Sequence, residues 1–265
     1  MQPFYPVVYN PDHYTVMGNP LIEAQQPLTN HASAKVIRFI ITQIVKEDKD
    51  LKTYKVKITE LADFLGINKK NVYRDMPKIC ADLMKQVIQV KQGNTAKDKW
   101  LMFHWVNTAY YDGKGTLVFR LSDELKPYIT ELEKFYTQYQ IKEILPLKSF
   151  YSIRLYEILK KVDGETLERE YHEFTIERLR YIFQCEDKYK TTAVFLLKTV
   201  TKAVEEINQF TGLYVRDEPM KANTKGNPII SVRFYVRWFK DLQAKQEYQQ
   251  WHEARGKKLI ETLQE

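Results

Sequence analysis

Apolar residues recur every three or four positions along several stretches of the chain, which is the spacing of one face of an α-helix. Residues 28–48 show this pattern after Thr29 or Asn30, and either residue can cap a helix. The same spacing runs through ITELADFL (58–65), stops at Gly66, and resumes in the segment that follows. The sequence therefore predicts a short helix, a turn and a longer helix in the first half of the chain.

Other segments alternate between helical and strand patterns. Further helices are predicted at 122–129, 130–139, 147–162, 175–183 and 191–210. Aromatic and β-branched residues predict strands at 53–58, 170–174, 212–217 and 229–239, and a β-hairpin over 100–122 around the turn DGKG. Pro146 interrupts the helical pattern, so we place a domain boundary near it. The predicted domains are 1–141 and 142–240, followed by a charged, helical tail at 241–265.

The second half repeats the pattern of the first. A shift of 118 residues matches the apolar positions of the short helix: Ile58, Leu61, Phe64 and Leu65 fall on Ile176, Leu179, Ile182 and Phe183. A shift of 124 matches those of the longer helix: Val72, Met76, Ile79, Cys80 and Leu83 fall on Leu196, Val200, Ala203, Val204 and Ile207. The turn between the helices is thus about six residues longer in the second copy. We interpret the two halves as copies of one unit.

This unit has the order of a winged helix-turn-helix, in which the longer helix enters the DNA major groove and a β-hairpin forms the wing. The predicted fold class is therefore α+β, with two tandem winged-helix domains. Lys, Arg, Asn and Thr suit contacts with phosphates, and Arg, Lys and Asn can also read purine edges. The candidate DNA-binding residues are Lys69, Lys70, Asn71, Arg74, Lys78 and Lys85 in the first copy, and Lys188, Lys190, Thr191, Lys198 and Lys202 in the second.

The candidate wings are basic and polar. They are QGNTAKDK (92–99) in the first copy and PMKANTKGNP (219–228) in the second, which adds Lys221 and Lys225 to the candidate residues. A charged helix face can also be ordinary solvated surface, and this alternative stays open for each copy taken alone. The recurrence of basic residues at Arg74 and Lys78, and again at Lys198 and Lys202, favours a binding role.

Composition supports this interpretation without proving it. The chain has 265 residues and a net charge of +7, a moderate excess of positive charge. Two cysteines exclude a disulfide framework and a cysteine-based zinc site, and we expect both to be reduced core residues. The N-terminus lacks the pattern of a signal peptide, and no run of 18 apolar residues occurs. We expect a cytoplasmic protein that needs no membrane, metal or cofactor.

Several fragments also carry a family resemblance. RLYEILK (154–160), FTIERLRYIF (174–183) and AVEEIN (203–208), in this order and followed by two strands, resemble the C-terminal domain of plasmid replication initiator (Rep) proteins of the iteron-binding type. The similarity covers about residues 16 to 239. The chain departs from the family where a basic cluster usually follows the Phe at 195, because Leu196 and Leu197 stand there.

The resemblance implies a protein that binds repeated double-stranded sites in a plasmid origin and starts replication there. It further implies host replication proteins, such as the host initiator and helicase, as partners. A homodimer formed through the N-terminal domain, which represses the protein's own gene, is also implied.

Two alternative functions are a DNA-cutting enzyme and a transcriptional regulator. Rolling-circle initiators cut DNA with a Tyr and a metal held by two His separated by one residue, whereas the five His here are scattered and His104 is followed by Trp105 and Val106. No GxxxxGK[ST] motif for a nucleotide phosphate is present. We therefore expect no enzymatic activity. A winged-helix transcriptional regulator without a replication role needs the same groove-reading surface, so it stays as the alternative.

Overall fold

The helices alternate with strands in both halves of the chain. The computed structural model describes residues 4–27, 30–45, 47–48, 50–92, 99–130, 132–165, 171–251 and 254. The helices are α1 (Asn19–Glu23), α2 (His31–Ile41), α3 (Ile58–Leu65), α4 (Lys69–Lys85), α5 (Lys126–Ile129), α6 (Phe150–Glu165), α7 (Ile176–Phe183), α8 (Thr192–Leu196) and α9 (Lys202–Phe210). A π-turn (Leu197–Thr201) joins α8 to α9, short 3-10 turns cover Asp123–Leu125 and Ile141–Glu143, and residues 242–251 are helical.

The strands form four small sheets. They are β1 (Phe4–Pro6), β2 (Tyr14–Gly18), β3 (Thr53–Lys57), β4 (Val87–Gln92), β5 (Lys99–His104), β6 (Val106–Tyr111), β7 (Thr116–Leu121), β8 (Tyr136–Gln140), β9 (His172–Thr175), β10 (Leu213–Lys221) and β11 (Ile229–Trp238). The sheet orders are β1-β3-β7-β6, β10-β11-β9, β2-β8 and β4-β5, and among the described strands only β1 and β3 pair in parallel.

Local signals explain the first helix-turn-helix. The side chain of Asn30 accepts a hydrogen bond from the backbone N–H of Ala32 and caps α2, as predicted for one of the two candidate caps. Helix α3 ends at Gly66, whose φ of 66° lies in the left-handed region that favours glycine. The side chain of Asn68 then caps α4 by accepting from the backbone N–H of Lys70. The turn between the two helices is therefore only three residues long.

The second helix-turn-helix repeats these signals. Thr175 caps α7 by accepting from the backbone N–H of Arg178, and α7 ends at Gln184, which has a φ of 52°. Gln184 lies 118 residues after Gly66, so the left-handed residue recurs at the position that the repeat predicts. Helix α8 begins later, after Thr191, so the turn here is longer, as expected. The predicted fold class, two tandem winged-helix units, is confirmed.

Helix α6 packs against α9 and β11 of the second half and is tied to the first half by a buried charged cluster. The Glu157 carboxylate accepts from Arg38 of α2 at 2.8 and 3.0 Å, from Arg154 at 2.6 Å and from the Tyr139 hydroxyl at 2.7 Å. Arg154 also donates to the backbone carbonyls of Ile22 at 2.6 Å and of Ala24 at 3.0 Å. The side chains of Arg38, Arg154 and Glu157 are fully buried. Because α6 joins both halves, the domain boundary at 141/142 stays a prediction.

The helix predicted at 130–139 is wrong. Residues Tyr136–Gln140 form strand β8, which pairs with β2. The turn into this strand passes through Phe135, which has a φ of 55° and so cannot continue a right-handed helix. Every second side chain of β8 is buried, namely Thr137 and Tyr139. Their hydroxyls donate to Asn19 and Glu157 in the core. Tertiary partners outweigh the helical spacing of this segment.

Other boundaries also differ from the expectation. Helix α2 ends at Ile41 instead of continuing to 48. The predicted hairpin around DGKG is confirmed for β6 and β7, but residues 100–104 belong to β5, which pairs with β4 in another sheet. Strand β10 runs to Lys221, so the loop of the second wing is shorter than 219–228. Both cysteines are free thiols: Cys185 is buried and Cys80 is half-buried.

Candidate nucleic-acid interface

The outer face of α4 carries the candidate residues of the first copy. Val72, Met76, Ile79 and Leu83 are buried on the inner face, as the apolar spacing predicted. Lys69, Lys70, Arg74, Lys78 and Lys85 are exposed, and Asn71 is half-buried. A basic stripe therefore follows the side of α4 that faces away from the core. This is the arrangement that a recognition helix needs.

Two of these residues already have acidic partners. The Arg74 guanidinium donates to both carboxylate oxygens of Asp75, from Nε at 2.9 Å and from NH2 at 3.1 Å. This contact raises the pKa of Arg74 and lowers that of Asp75. Lys69 forms an exposed ion pair with Asp63 at 3.1 Å. Arg74 must therefore exchange a carboxylate for a guanine edge before it can read a base.

The second recognition helix is built from α8, the π-turn and α9. Phe195, Leu196, Val200, Ala203 and Ile207 are buried on its inner face. Lys198 and Lys202 are exposed on the outer face, and neither forms an ion pair within the described part of the chain. Two unneutralised ammonium groups thus stand one turn apart, as phosphate contacts require.

The long turn between α7 and α8 holds three more candidates. Lys188, Lys190 and Thr191 are exposed there. The Thr191 hydroxyl accepts from the backbone N–H of Val194 at 3.3 Å and so caps α8. A hydroxyl in this role keeps a donor hydrogen for a phosphate.

Arg180 of α7 fixes this turn from inside. Its guanidinium donates to the carbonyls of Cys185 at 2.8 Å, Lys188 at 2.7 Å and Tyr189 at 2.9 Å, and it lies 4.5 Å from the centre of the Phe195 ring. One half-buried guanidinium therefore donates to three backbone acceptors in the extra residues of the second copy. This role of Arg180 has no signal in the sequence, because Arg180 lies in a helix pattern among other charged residues.

The two wings carry the remaining candidate residues. In the second wing, Lys221 ends β10 and Lys225 stands exposed in the loop, beside Gly226 with a φ of 88°. The tip of the first wing, 93–98, lies outside the described residues. Its flanking strands β4 and β5 pair from Val87↔His104 to Gln92↔Lys99.

A lysine of the C-terminal tail closes the end of the second recognition helix. The Lys245 ammonium donates to the carbonyls of Asn208 and Thr211 at 2.7 Å and of Ile207 at 3.3 Å. These are carbonyls of the last turn and C-cap of α9, and of the three only that of Ile207 also accepts from the helix end, through the N–H and the hydroxyl of Thr211. Lys245 is 2% exposed, and burial lowers its pKa to about 8. The tail therefore has a structural role, which its composition did not reveal.

Ion pairs and hydrogen bonds connect the two copies beside this surface. Glu23 of α1 binds Arg178 of α7 at 2.7 Å and Lys161 of α6 at 2.8 Å. The Tyr181 hydroxyl donates to the carbonyl of Gln89 in β4 at 3.3 Å. The first wing thus contacts the short helix of the second helix-turn-helix.

Two other kinds of feature are absent from the described residues. Among the residues placed by the structure, no three His, Cys, Asp or Glu side chains are grouped as metal ligands would be. No described helix combines the length and apolarity that a membrane span requires.

Comparisons with known proteins agree with this architecture. The family model of the initiator replication protein WH1 domain matches residues 14–160, and that of the initiator Rep protein WH2 domain matches residues 175–236. The fold is similar to the solved structure of the Pi initiator protein in complex with iteron DNA, with a TM-score of 0.69, 18% identity, and coverage of 88% of this chain and 100% of that one.

A weaker similarity is to the WH1 domain of MSBI1.176, a replication protein isolated from a multiple sclerosis patient. The TM-score is 0.29 and the identity 14%, with coverage of 38% of this chain and 79% of that one.

Proposed function

The chain belongs to the family of initiator replication proteins, and from this premise we propose that it binds repeated duplex sites in a plasmid origin and initiates replication there. The observation that carries the proposal is the recurrence of one helix-turn-helix with a basic outer face on the longer helix in each copy. The Pi initiator, whose fold this chain shares, was solved bound to iteron DNA. Binding by two linked units lengthens the site and raises affinity through effective concentration.

The recognition helices and the second wing would contact different parts of one duplex. Each recognition helix would enter a major groove, with its lysines on phosphates and Arg74 available for a guanine edge. Lys221 and Lys225 of the second wing would contact the flanking backbone. Arg180 and Lys245 touch no DNA in this arrangement, but they hold the turn and the helix end that carry the second set of contacts.

Partners beyond DNA are part of the proposal. Host replication proteins, such as the host initiator and helicase, would be recruited to the opened origin in the cytoplasm. A homodimer through the N-terminal domain would repress the protein's own gene. Strand β6 supports this, because it lies at one edge of the four-stranded sheet and carries the exposed Tyr110 and Tyr111.

We further propose that the protein binds DNA without cutting it. The scattered histidines favour this, since none has the spacing of a metal-binding pair. Supercoiled origin DNA incubated with the protein and Mg²⁺ or Mn²⁺ should stay closed. A site-specific nick that is lost when one Tyr is changed to Phe would contradict this proposal.

The replication role can be tested in cells. The coding region is placed on a replicon that carries the plasmid origin but lacks an initiator, and maintenance of the replicon is measured. We expect maintenance with the wild-type protein and loss with a Lys198→Ala/Lys202→Ala variant. A protein that binds the origin in vitro yet never sustains the replicon would instead be a winged-helix transcriptional regulator.

A further inference from the structure

Two large apolar side chains stand on the outer face of the second recognition helix. Val194 is 43% exposed and Leu197 is 54% exposed. They are three residues apart, so they are neighbours on one side of the helix, although the π-turn begins at Leu197. Neither belongs to the hydrophobic core or to the apolar residues packed against it. Folding of the described residues therefore does not explain them.

The equivalent position in the first copy has a different environment. The shift of 124 residues that aligns the two long helices places Tyr73 on Leu197. The Tyr73 ring makes an edge contact with Tyr111 of β6, with 5.9 Å between the ring centres, and both rings line a groove between α4 and the β6–β7 hairpin. The described residues of the second copy place no such hairpin against the helix, and Leu197 projects from it without this cover.

The charges around Leu197 indicate what covers it in the functional state. Lys198 is adjacent in sequence, Lys202 follows about one turn later, and Lys190 precedes the helix, and all three are exposed. An apolar side chain between cations suits the major groove, where phosphates border the base edges and thymine alone presents a methyl group. A protein partner with an apolar surface would cover Leu197 but would leave the three ammonium groups at the edge of its interface without counter-charges. DNA supplies both the apolar contact and the counter-charges.

We propose that Leu197, with Val194 beside it, packs against the 5-methyl group of a thymine and so makes the second copy select a T·A pair at one position of its site. This inference rests on the proposed function and adds a specificity determinant to it. It also gives a physical reason for the departure from the family pattern, in which basic residues usually follow Phe195. The second copy would then read bases through shape and a methyl group, while its lysines bind phosphates.

The test removes single methyl groups from the DNA. A preferred duplex is first selected from a random pool with the wild-type protein, and each thymine in it is then replaced, one at a time, by deoxyuridine. Binding is measured by fluorescence anisotropy for the wild type, Leu197→Ala and Val194→Ala. We expect one or two replacements to weaken wild-type binding about fourfold, the equivalent of one buried methyl group. Leu197→Ala should bind the thymine duplex about fivefold more weakly and should no longer distinguish it from the deoxyuridine duplex.

A matched variant controls for general effects. Leu242 is an exposed leucine of the tail helix, and Leu242→Ala should keep the full sensitivity to deoxyuridine. Thermal melting of all variants should be unchanged, since the side chains are exposed. The inference is overturned if no replacement affects the wild type, or if Leu197→Ala keeps the same sensitivity. A pool that yields no preferred duplex would overturn the proposed function itself, and this inference with it.

Discussion

The two winged-helix units share their helices but differ in their sheets. In the second unit, β9 pairs with the wing strand β11, with Ser231 opposite Thr175. In the first unit, the equivalent strand β3 pairs instead with β7, with Val56 opposite Leu117, and β4 and β5 form a separate two-stranded wing. The same helix-turn-helix is therefore attached to a three-stranded sheet in one copy and stands beside an inserted hairpin in the other.

This comparison separates local from long-range determinants of the fold. The helices of both units begin and end at local signals, including the caps Asn68 and Thr191 and the left-handed residues Gly66 and Gln184. Strand partners depend on which apolar face each strand must cover, and this involves residues far away in sequence. The apolar spacing that reveals the repeat therefore predicts the shared helices of the two units better than it predicts their strand pairing.

The outer faces of the recognition helices differ as well. In the first unit, the arginine best suited to a guanine edge is held by Asp75 on its own helix. In the second unit, Lys198 and Lys202 flank an exposed leucine. We infer that the first unit reads bases by exchanging one charged partner for another, whereas the second combines phosphate contacts with an apolar one.

The largest expected effect concerns the buried cluster that ties α6 to the first unit. Glu157→Gln leaves the buried guanidinium groups of Arg38 and Arg154 without their counter-charge, and we expect the free energy of unfolding to fall by about 3 to 5 kcal/mol. Burial alone would raise the pKa of Glu157, but the two arginines hold it below its ordinary value of 4.5. Its contribution is therefore complete above pH 4.5 and is lost as the pH falls through the lower folded pKa.

Urea denaturation at neutral and acidic pH measures both effects. Asp63→Asn is the control, because the Asp63 carboxylate is 61% exposed in its pair with Lys69 and should contribute less than about 1 kcal/mol. Equal losses of stability in the two variants would show that the buried cluster contributes no more to folding than an exposed ion pair.

The next effect concerns only the second unit. Lys245→Met removes the ammonium that caps α9 and takes the donor from the carbonyls of Asn208 and Thr211, so we expect a loss of about 1.5 to 3 kcal/mol in unfolding free energy. Binding to DNA should weaken too, because α9 carries Lys202. Lys240→Met changes an exposed lysine near the same helix and should leave both quantities unchanged. Thermal melts and anisotropy titrations of both variants make the comparison.

The sequence predicted the helices more accurately than the strands, for identifiable reasons. Helices α3 and α7 appear at the predicted residues because apolar spacing and caps act within one segment. The segment ending at Tyr139 was predicted as a helix, yet it is a strand, since Tyr139 reaches Glu157 and Thr137 reaches Asn19. Such contacts leave no periodic signal in a single sequence.

The candidate site was predictable where exposure follows from the apolar pattern. Lys70, Lys78, Lys198 and Lys202 lie opposite buried positions and are exposed, as helical geometry requires. The sequence could not reveal the Arg74–Asp75 contact, since neighbouring residues on a helix need not pair. It also could not reveal Arg180 or Lys245, whose partners are backbone carbonyls and therefore carry no residue-type signature.

A smaller effect distinguishes Arg74 from its partner. Arg74→Ala should weaken binding to a selected duplex by about 1 to 3 kcal/mol and relax the preference at one base pair. Asp75→Asn should instead strengthen binding slightly, by about 0.5 kcal/mol, because it frees the guanidinium and removes a negative charge near the phosphates. Anisotropy titrations against the selected duplex and against variants at each position measure both. Weakening by both variants would mean that the pair serves the fold and not recognition.

The salt dependence of DNA binding tests most directly whether both units contact one duplex. Contacts with about 6 to 10 phosphates predict a slope of log affinity against log salt of about −5 to −9 for the wild type. Lys70→Ala/Lys78→Ala in the first unit and Lys198→Ala/Lys202→Ala in the second should each reduce the size of this slope by about 2, with folding intact by thermal melt. An unchanged slope in either double variant would contradict the account, because that recognition helix would then be solvated surface.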